Sequence, residues 1–221
     1  MDGMPMPAGG TMSMWMRMPG QSWAGTAASF VAMWTVMMLP SLAPTLWRHR
    51  TAVRRAGLAR AHRLTALVGL GYFTVWAALG AIVFPLGVVL SDVATWDPTV
   101  ARAAPIVIGV AVLLAGVVQH TTWKARQLVF CRESPARDHA SSTDAHTAWR
   151  HGLRLGLHCV GSCAGLTAIG LVVGAMDLRV MAAVTTAITA ERLAPSDVRV
   201  ARAIGDLVVV AGLVLLARAV L

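Results

Sequence analysis

Charge is scarce in this chain: Asp, Glu, Lys and Arg make up 13% of its 221 residues, against about 25% in soluble domains. That shortage excludes a disordered chain and an ordinary soluble enzyme. Aromatics are also few, at 6% with a single tyrosine. A membrane β-barrel with aromatic girdles is excluded on that ground. Three cysteines, Cys131, Cys159 and Cys163, are too few and too uneven a count for a disulfide framework. No basic stretch followed by a cleavable apolar run opens the chain, so no cleaved signal is expected. No G-x-x-x-x-G-K-[ST] loop is present, which argues against an ATP-driven pump. No internal repeat is expected, since no period of 20–50 residues recurs.

What the chain has is apolar sequence. Hydrophobic residues reach 57% and the mean hydropathy is +0.65. A membrane-crossing helix needs about 20 largely apolar residues. Six windows qualify, at about 23–46, 64–90, 103–123, 153–175, 178–190 and 203–221. The fifth is short and carries Thr185, Thr186 and Thr189. The expected fold class is therefore all-α, a polytopic bundle of six transmembrane helices. Residues 1–22 form a separate tail and residues 23–221 the membrane domain, with a connection at about 124–150.

Orientation follows from the basic residues. Fifteen of the 19 Lys and Arg fall at the first, third and fifth connections, among them Arg48, Arg63, Lys124, Arg154, Arg192 and Arg202. Only Arg17, Arg102, Arg179 and Arg218 fall on the other side. The odd connections are expected in the cytoplasm and both termini outside it. The net charge of +9 is thus read as topology, and no nucleic-acid partner is expected. The polar stretch 129–148 reads as a solvated connection whose His139 and His146 carry no role.

Three motifs bear chemistry. Met1, Met4, Met6, Met12, Met14, Met16 and Met18 place seven of the 12 methionines in the first 18 residues. Pro5, Pro7, Gly9, Gly10, Pro19 and Gly20 oppose a regular helix there. Thioether is a soft, neutral ligand that selects Cu(I) over hard cations. The plainer reading is flexible apolar filler at the membrane surface. In the first apolar window, Met33 and Met37 share a helix face, and Pro40 and Pro44 should kink the helix. These methionines serve equally as ligands or as packing around the kink. In the fourth window, Cys159 and Cys163 lie four apart on one face, with His158 about 100° round from Cys159. Thiolate and imidazole suit copper or zinc, though cysteine is also a common buried residue. Gly152, Gly156, Gly161 and Gly165 offer small surfaces for close helix contact. Gln119, His120, Asp177, Glu191 and Asp206 are read as mainly structural, with Glu191 an interface charge near Arg192 and Asp206 a partner for Arg202.

The order of several motifs resembles a known family. Met33-Trp34-x-x-Met37-Met38-Leu39-Pro40-Ser41, Gly156-x-x-Cys159-x-Gly161-x-Cys163, Gly174-x-Met176-Asp177-Leu178 and Glu191-Arg192 are similar to the predicted metal-binding integral membrane proteins, catalogued as domain of unknown function 2182. The likeness runs from about residue 10 to 221. It implies metal binding in a bacterial cytoplasmic membrane. The chain departs from that pattern at Ser162, where a second cysteine is common, and at His158 and Leu155, where Tyr and His are.

Together these readings predict a non-enzymatic copper-handling membrane protein with no catalytic residue. Met4, Met6, Met12, Met14, Met16 and Met18 would collect Cu(I) outside. Met33, Met37, His158, Cys159 and Cys163 would hold or pass it to a membrane cuproenzyme, or as an accessory subunit of one. The lipid bilayer and a membrane protein are the expected partners. A structural subunit of a larger complex is the alternative, and a haem protein using His120 and His158 the third.

Overall fold

The computed structural model describes residues 22–55, 60–137, 144–174, 177–194 and 197–221. They form eight helices, with no strand among the described residues: α1 Trp23–Val36, α2 Leu39–Arg55, α3 Ala61–Trp96, α4 Pro98–Val118, α5 Thr122–Arg137, α6 Ala145–Gly174, α7 Leu178–Leu193 and α8 Asp197–Val220. The fold is all-helical. The expected tail ligands Met4, Met6, Met12, Met14, Met16 and Met18 lie outside the described residues.

Four helices, α3, α4, α6 and α8, are long and apolar enough to cross a membrane. A fifth span arises if α1 and α2 count as one bent pair, at an angle of 53°. The bend has a local cause. Pro40 has no N–H to bond the Val36 carbonyl, and its ring crowds that carbonyl. α1 therefore stops at Val36, and Met37 and Met38 form the break. The fifth window, 178–190, is the helix α7 of only 16 residues, shorter than a membrane span needs.

Caps mark the turns between spans. Asp97 accepts from the Thr99 amide at 2.8 Å and the Thr99 hydroxyl at 2.6 Å, with Pro98 following in the first turn of α4. The Thr99 hydroxyl, then its amide, hold the Asp97 carboxyl below its usual range. A depressed folded-state pKa stabilises the turn above the ordinary carboxylate range, and that support is lost as pH falls through the folded value. Asp97→Ala is therefore expected to speed amide exchange at Thr99 and Val100 at neutral pH. The native turn should approach the same behaviour in acid, after correction for intrinsic exchange. Equal protection in both chains would show the cap to be idle.

Glycines set the two closest helix contacts. On α6, a Cβ at Gly152 would meet the Val68 backbone carbonyl of α3, and one at Gly156 would stand 2.9 Å from Val75 Cβ. Between α4 and α8 a second pair of stripes meets. A Cβ at Gly116 would stand 2.8 Å from the Val209 amide nitrogen, and one at Gly212 2.7 Å from the Leu113 amide nitrogen. Backbones this close leave no room for a side chain, which is how apolar helices gain contact where lipid offers no hydrophobic drive.

The antiparallel pair α6 and α7 sets the height of the site. Cys159 lies fifteen residues before the end of α6 at Gly174. Arg192 lies fourteen residues after the start of α7 at Leu178. The C-terminal end of α7 therefore meets α6 halfway along its length. Charge counting along the sequence assigns Arg192 to a connection. The short α7 instead leaves it inside the bundle, against Cys159.

Candidate metal site

Two sulfurs form the centre. Cys159 and Cys163 are both buried, one turn apart on α6, with their Sγ atoms 3.7 Å apart. Metal–sulfur bonds of about 2.3 Å are long enough for one ion to bridge that gap, and soft thiolates favour Cu(I) or zinc.

Helices α2, α3 and α7 close around the pair. Tyr72 Oη of α3 lies 3.1 Å from Cys159 Sγ. Arg192 Nη1 of α7 donates to the same sulfur at 3.2 Å and to Ser41 Oγ of α2 at 3.2 Å. A guanidinium can only donate, so the sulfur accepts there, an arrangement suited to a thiolate. Ser162 Oγ lies 3.5 Å from Cys163 Sγ. Aromatic rings wall one side: Tyr72 adjoins Trp76 at 6.5 Å between centroids, and Trp76 adjoins Trp34 at 6.1 Å. The indole N–H of Trp34 has no hydrogen-bond partner among the described residues, while that of Trp76 neighbours Cys159 Sγ as a donor.

A charged floor lies beside the sulfurs. Lys124 of α5 and Glu191 of α7 are 2.6 Å apart and almost wholly enclosed, at 2% and 1% exposure. Gln119 Nε2 donates to Glu191 Oε1 at 2.9 Å. Lys124 also donates to the Ser162 carbonyl. This corrects two sequence readings. The segment read as a solvated connection is helical from Thr122 to Arg137, and its lysine points into the bundle. Glu191 is a buried partner rather than an interface charge. The reason is the turn at 119–121, where His120 and Thr121 amides bond three residues back. That turn ends α4 and starts α5, carrying Lys124 towards α6 and α7.

The other expected ligands are distributed differently. His158 Nδ1 bonds Gln127 Oε1 of α5 at 2.8 Å, round the helix from the thiol pair. His120 Nε2 lies 3.3 Å from Asp206, because close packing at Gly205 brings α8 onto the end of α4. Asp206 thus meets His120, where Arg202 had been expected. The two histidines considered for haem have separate partners. Met33 is half-buried; Met37 is half-buried and packs on the core. Met38, which the sequence reading passed over, is enclosed at 1% exposure in the cluster that holds both cysteines. No group of three or more His, Cys, Asp or Glu that could hold a metal occurs among the described residues. A metal here would rest on the two thiols, with neutral donors beside them.

Sequence reasoning missed Tyr72, Lys124 and Arg192, yet a signal existed. Tyr72 is the only tyrosine and Lys124 the only lysine, in a chain whose other basic side chains of that kind are all arginine. A compact ammonium with three donors fits between a carboxylate and a helix carbonyl where a guanidinium would not. Both rarities sit at the site.

The geometry defines an all-helical protein, with apolar helices of membrane length, built around a buried thiol pair. The family model described as copper chaperone, PpoB2, matches residues 27–215, and the chain belongs to that family. No curated protein and no solved structure matches it.

Proposed function

We propose that this chain carries Cu(I) within the membrane and does no catalysis of its own. Cys159 and Cys163 hold the ion, and Met38 and the Tyr72–Trp76 wall screen it from water. The observation that carries this reading is the 3.7 Å sulfur pair in a member of a copper chaperone family. His158 faces α5 and serves structure in this reading, while Met33 and Met37 line the approach at the α1–α2 break. The tail methionines Met4, Met6, Met12, Met14, Met16 and Met18 collect Cu(I) outside the cytoplasm. The receiver is a membrane cuproenzyme, with this chain as its supplier or accessory subunit. The bent α1–α2 pair counts here as one crossing and α7 as a short one that the bilayer accommodates by local thinning; with those six, the asymmetry of basic residues favours both termini outside a bacterial cytoplasmic membrane.

The test is copper content after Cu(I) loading under reducing conditions, read by elemental mass spectrometry on the detergent-purified chain. The native chain is expected to retain copper. Removing residues 1–20 should lower the amount bound, and Cys159→Ser with Cys163→Ser should abolish the tightly held ion. Equal retention with and without the two thiols would overturn the site, and no retention by the native chain would overturn the function.

A further inference from the structure

Two histidines from different helices meet inside the bundle, away from the thiols. His49 of α2 is 2% exposed and His151 of α6 is 6% exposed. Their ring centroids are 5.8 Å apart, with planes within 19° of parallel. Thr65 Oγ1 of α3 lies 3.5 Å from His49 Nδ1. A core that needs only filling takes apolar side chains, because a buried imidazole gives up the water on its ring nitrogens. Ionisable side chains inside membrane helices are rare and mark ion pathways.

The pair is in register with the thiols. His151, Leu155, Cys159 and Cys163 follow at four-residue intervals on α6, all buried, so they share one face. Eight residues separate His151 from Cys159, about 12 Å along the helix. α2 runs the other way past them. Its Ser41 accepts from the same guanidinium that reaches Cys159, and His49, eight residues on, meets His151. On α3, Tyr72 meets Cys159 and Thr65 meets His49. The same three helices thus build two levels, one with sulfur donors and one with nitrogen donors. Close backbone contacts hold the second level in place. A Cβ at Gly71 would stand 2.5 Å from the Trp149 carbonyl oxygen, and one at Gly152 would meet the Val68 carbonyl. These two contacts bracket His151 along α6.

We propose that His49 and His151 form a second metal position, a nitrogen pair for a soft monovalent cation, two turns along α6 from the thiols. The choice of cation rests on the reading that the chain carries Cu(I). Imidazole is a copper ligand, and a monovalent ion with a filled d shell is satisfied by two donors in line. An ion about 2.0 Å from a nitrogen of each ring, in line between them, sets the ring centroids about 6 Å apart, close to the spacing found. A gap of about 12 Å is too long for one ion to touch both levels, so each binds its own. Thiolate is the softer donor and fills first; the histidines fill second. Loading is a ligand exchange. Two nitrogen–metal bonds form from neutral imidazoles, the ion leaves its previous ligands, the coordinating nitrogens exchange any hydrogen bond for the metal, and no electron moves.

The test uses the full chain in detergent with a thiol-free reductant, its histidines labelled with ¹⁵N in the ring, titrated with Ag(I) as the air-stable monovalent probe. Ring-nitrogen NMR signals report on the histidines and are blind to metal on the tail, which holds no histidine. His49→Gln and His151→Gln chains assign the two signals. Alkylation of Cys159 and Cys163, read by peptide mass spectrometry on the same samples, reports on the thiols. The thiols should be protected first, and the His49 and His151 signals should then shift together as further Ag(I) is added. The same joint shift is expected in the Cys159→Ser, Cys163→Ser chain. His151→Gln should weaken the Ag(I) response of His49 by more than about 100-fold, since even a partner outside the ligand shell is worth about 10–100-fold in affinity. Unchanged thiol protection in that variant shows that it is folded. Signals that stay still at Ag(I) beyond thiol saturation, or a His49 response undiminished in folded His151→Gln, overturn the second position and leave the thiol site standing. A joint histidine shift with no thiol protection supports the histidine position and overturns the thiol site instead. No response from either level overturns both.

Discussion

Glu191→Ala is expected to destabilise the folded chain by about 3–5 kcal/mol, the largest loss from any single side chain at the site. The carboxylate accepts from Lys124 and Gln119 and is 1% exposed. Removing it strands the Lys124 ammonium inside the bundle, with the Ser162 carbonyl as its remaining acceptor among the described residues. A buried unpaired charge costs far more than the pair it came from contributes. Lys124→Ala should lose a comparable amount for the converse reason. The double change Lys124→Leu with Glu191→Leu should recover most of the loss, since apolar replacement of a buried pair is often neutral or stabilising. Unfolding in detergent, followed by tryptophan fluorescence, gives the three values. Single and double variants losing the same amount would show that the two charges do not depend on each other.

Gly152→Leu should part α3 from α6 and disrupt the proposed thiol site with it. The added side chain would drive into the Val68 carbonyl, and the Val68 Cα lies 3.0 Å from where the first new carbon would stand. Backbone cannot swing aside as a flexible side chain can. Overpacking typically costs about 1–3 kcal/mol, and a backbone obstacle places this case at or above the top of that range. Tyr72 of α3 meets Cys159 of α6 across the same interface, one turn further along α3 and two along α6. The variant should therefore lose bound copper as well as stability. Gly161→Ala is the contrast, because its new carbon would come no closer than 3.5 Å to Gln127, and it should be close to neutral. A Gly152→Leu chain that unfolds and binds metal like the native one would mean the helices reseat without cost.

Elements within one helix were legible in the residues. The apolar windows marked the helices, and Pro40 located the break after Val36 through its missing N–H. The i, i+4 spacing placed Cys159 and Cys163 on one face. The family then gave copper as the metal to test. The tail methionines were as legible as any of these, and they lie outside the described residues.

The polar half of the site was not legible. Tyr72 and Cys159 are 87 residues apart, Lys124 and Glu191 67, and Arg192 and Cys159 33. Charge counting assigned Lys124 and Arg192 to connections, since a basic residue near the end of an apolar window looks alike whether it faces water or a neighbouring helix. Met33 and Met37 were favoured over Met38 on spacing alone, but the break after Val36 restarts the helical phase and turns Met38 inwards. By itself, the sequence determined the apolar helices, the break near Pro40 and which residues share a face, because backbone hydrogen bonding and side-chain periodicity act over four residues; the helix Thr122–Arg137 and the helix ends were not among what it determined. Only the tertiary structure decided which faces meet and which charges are buried, because those depend on how closely two helices approach, and that distance is set by pairs of residues that no local pattern connects.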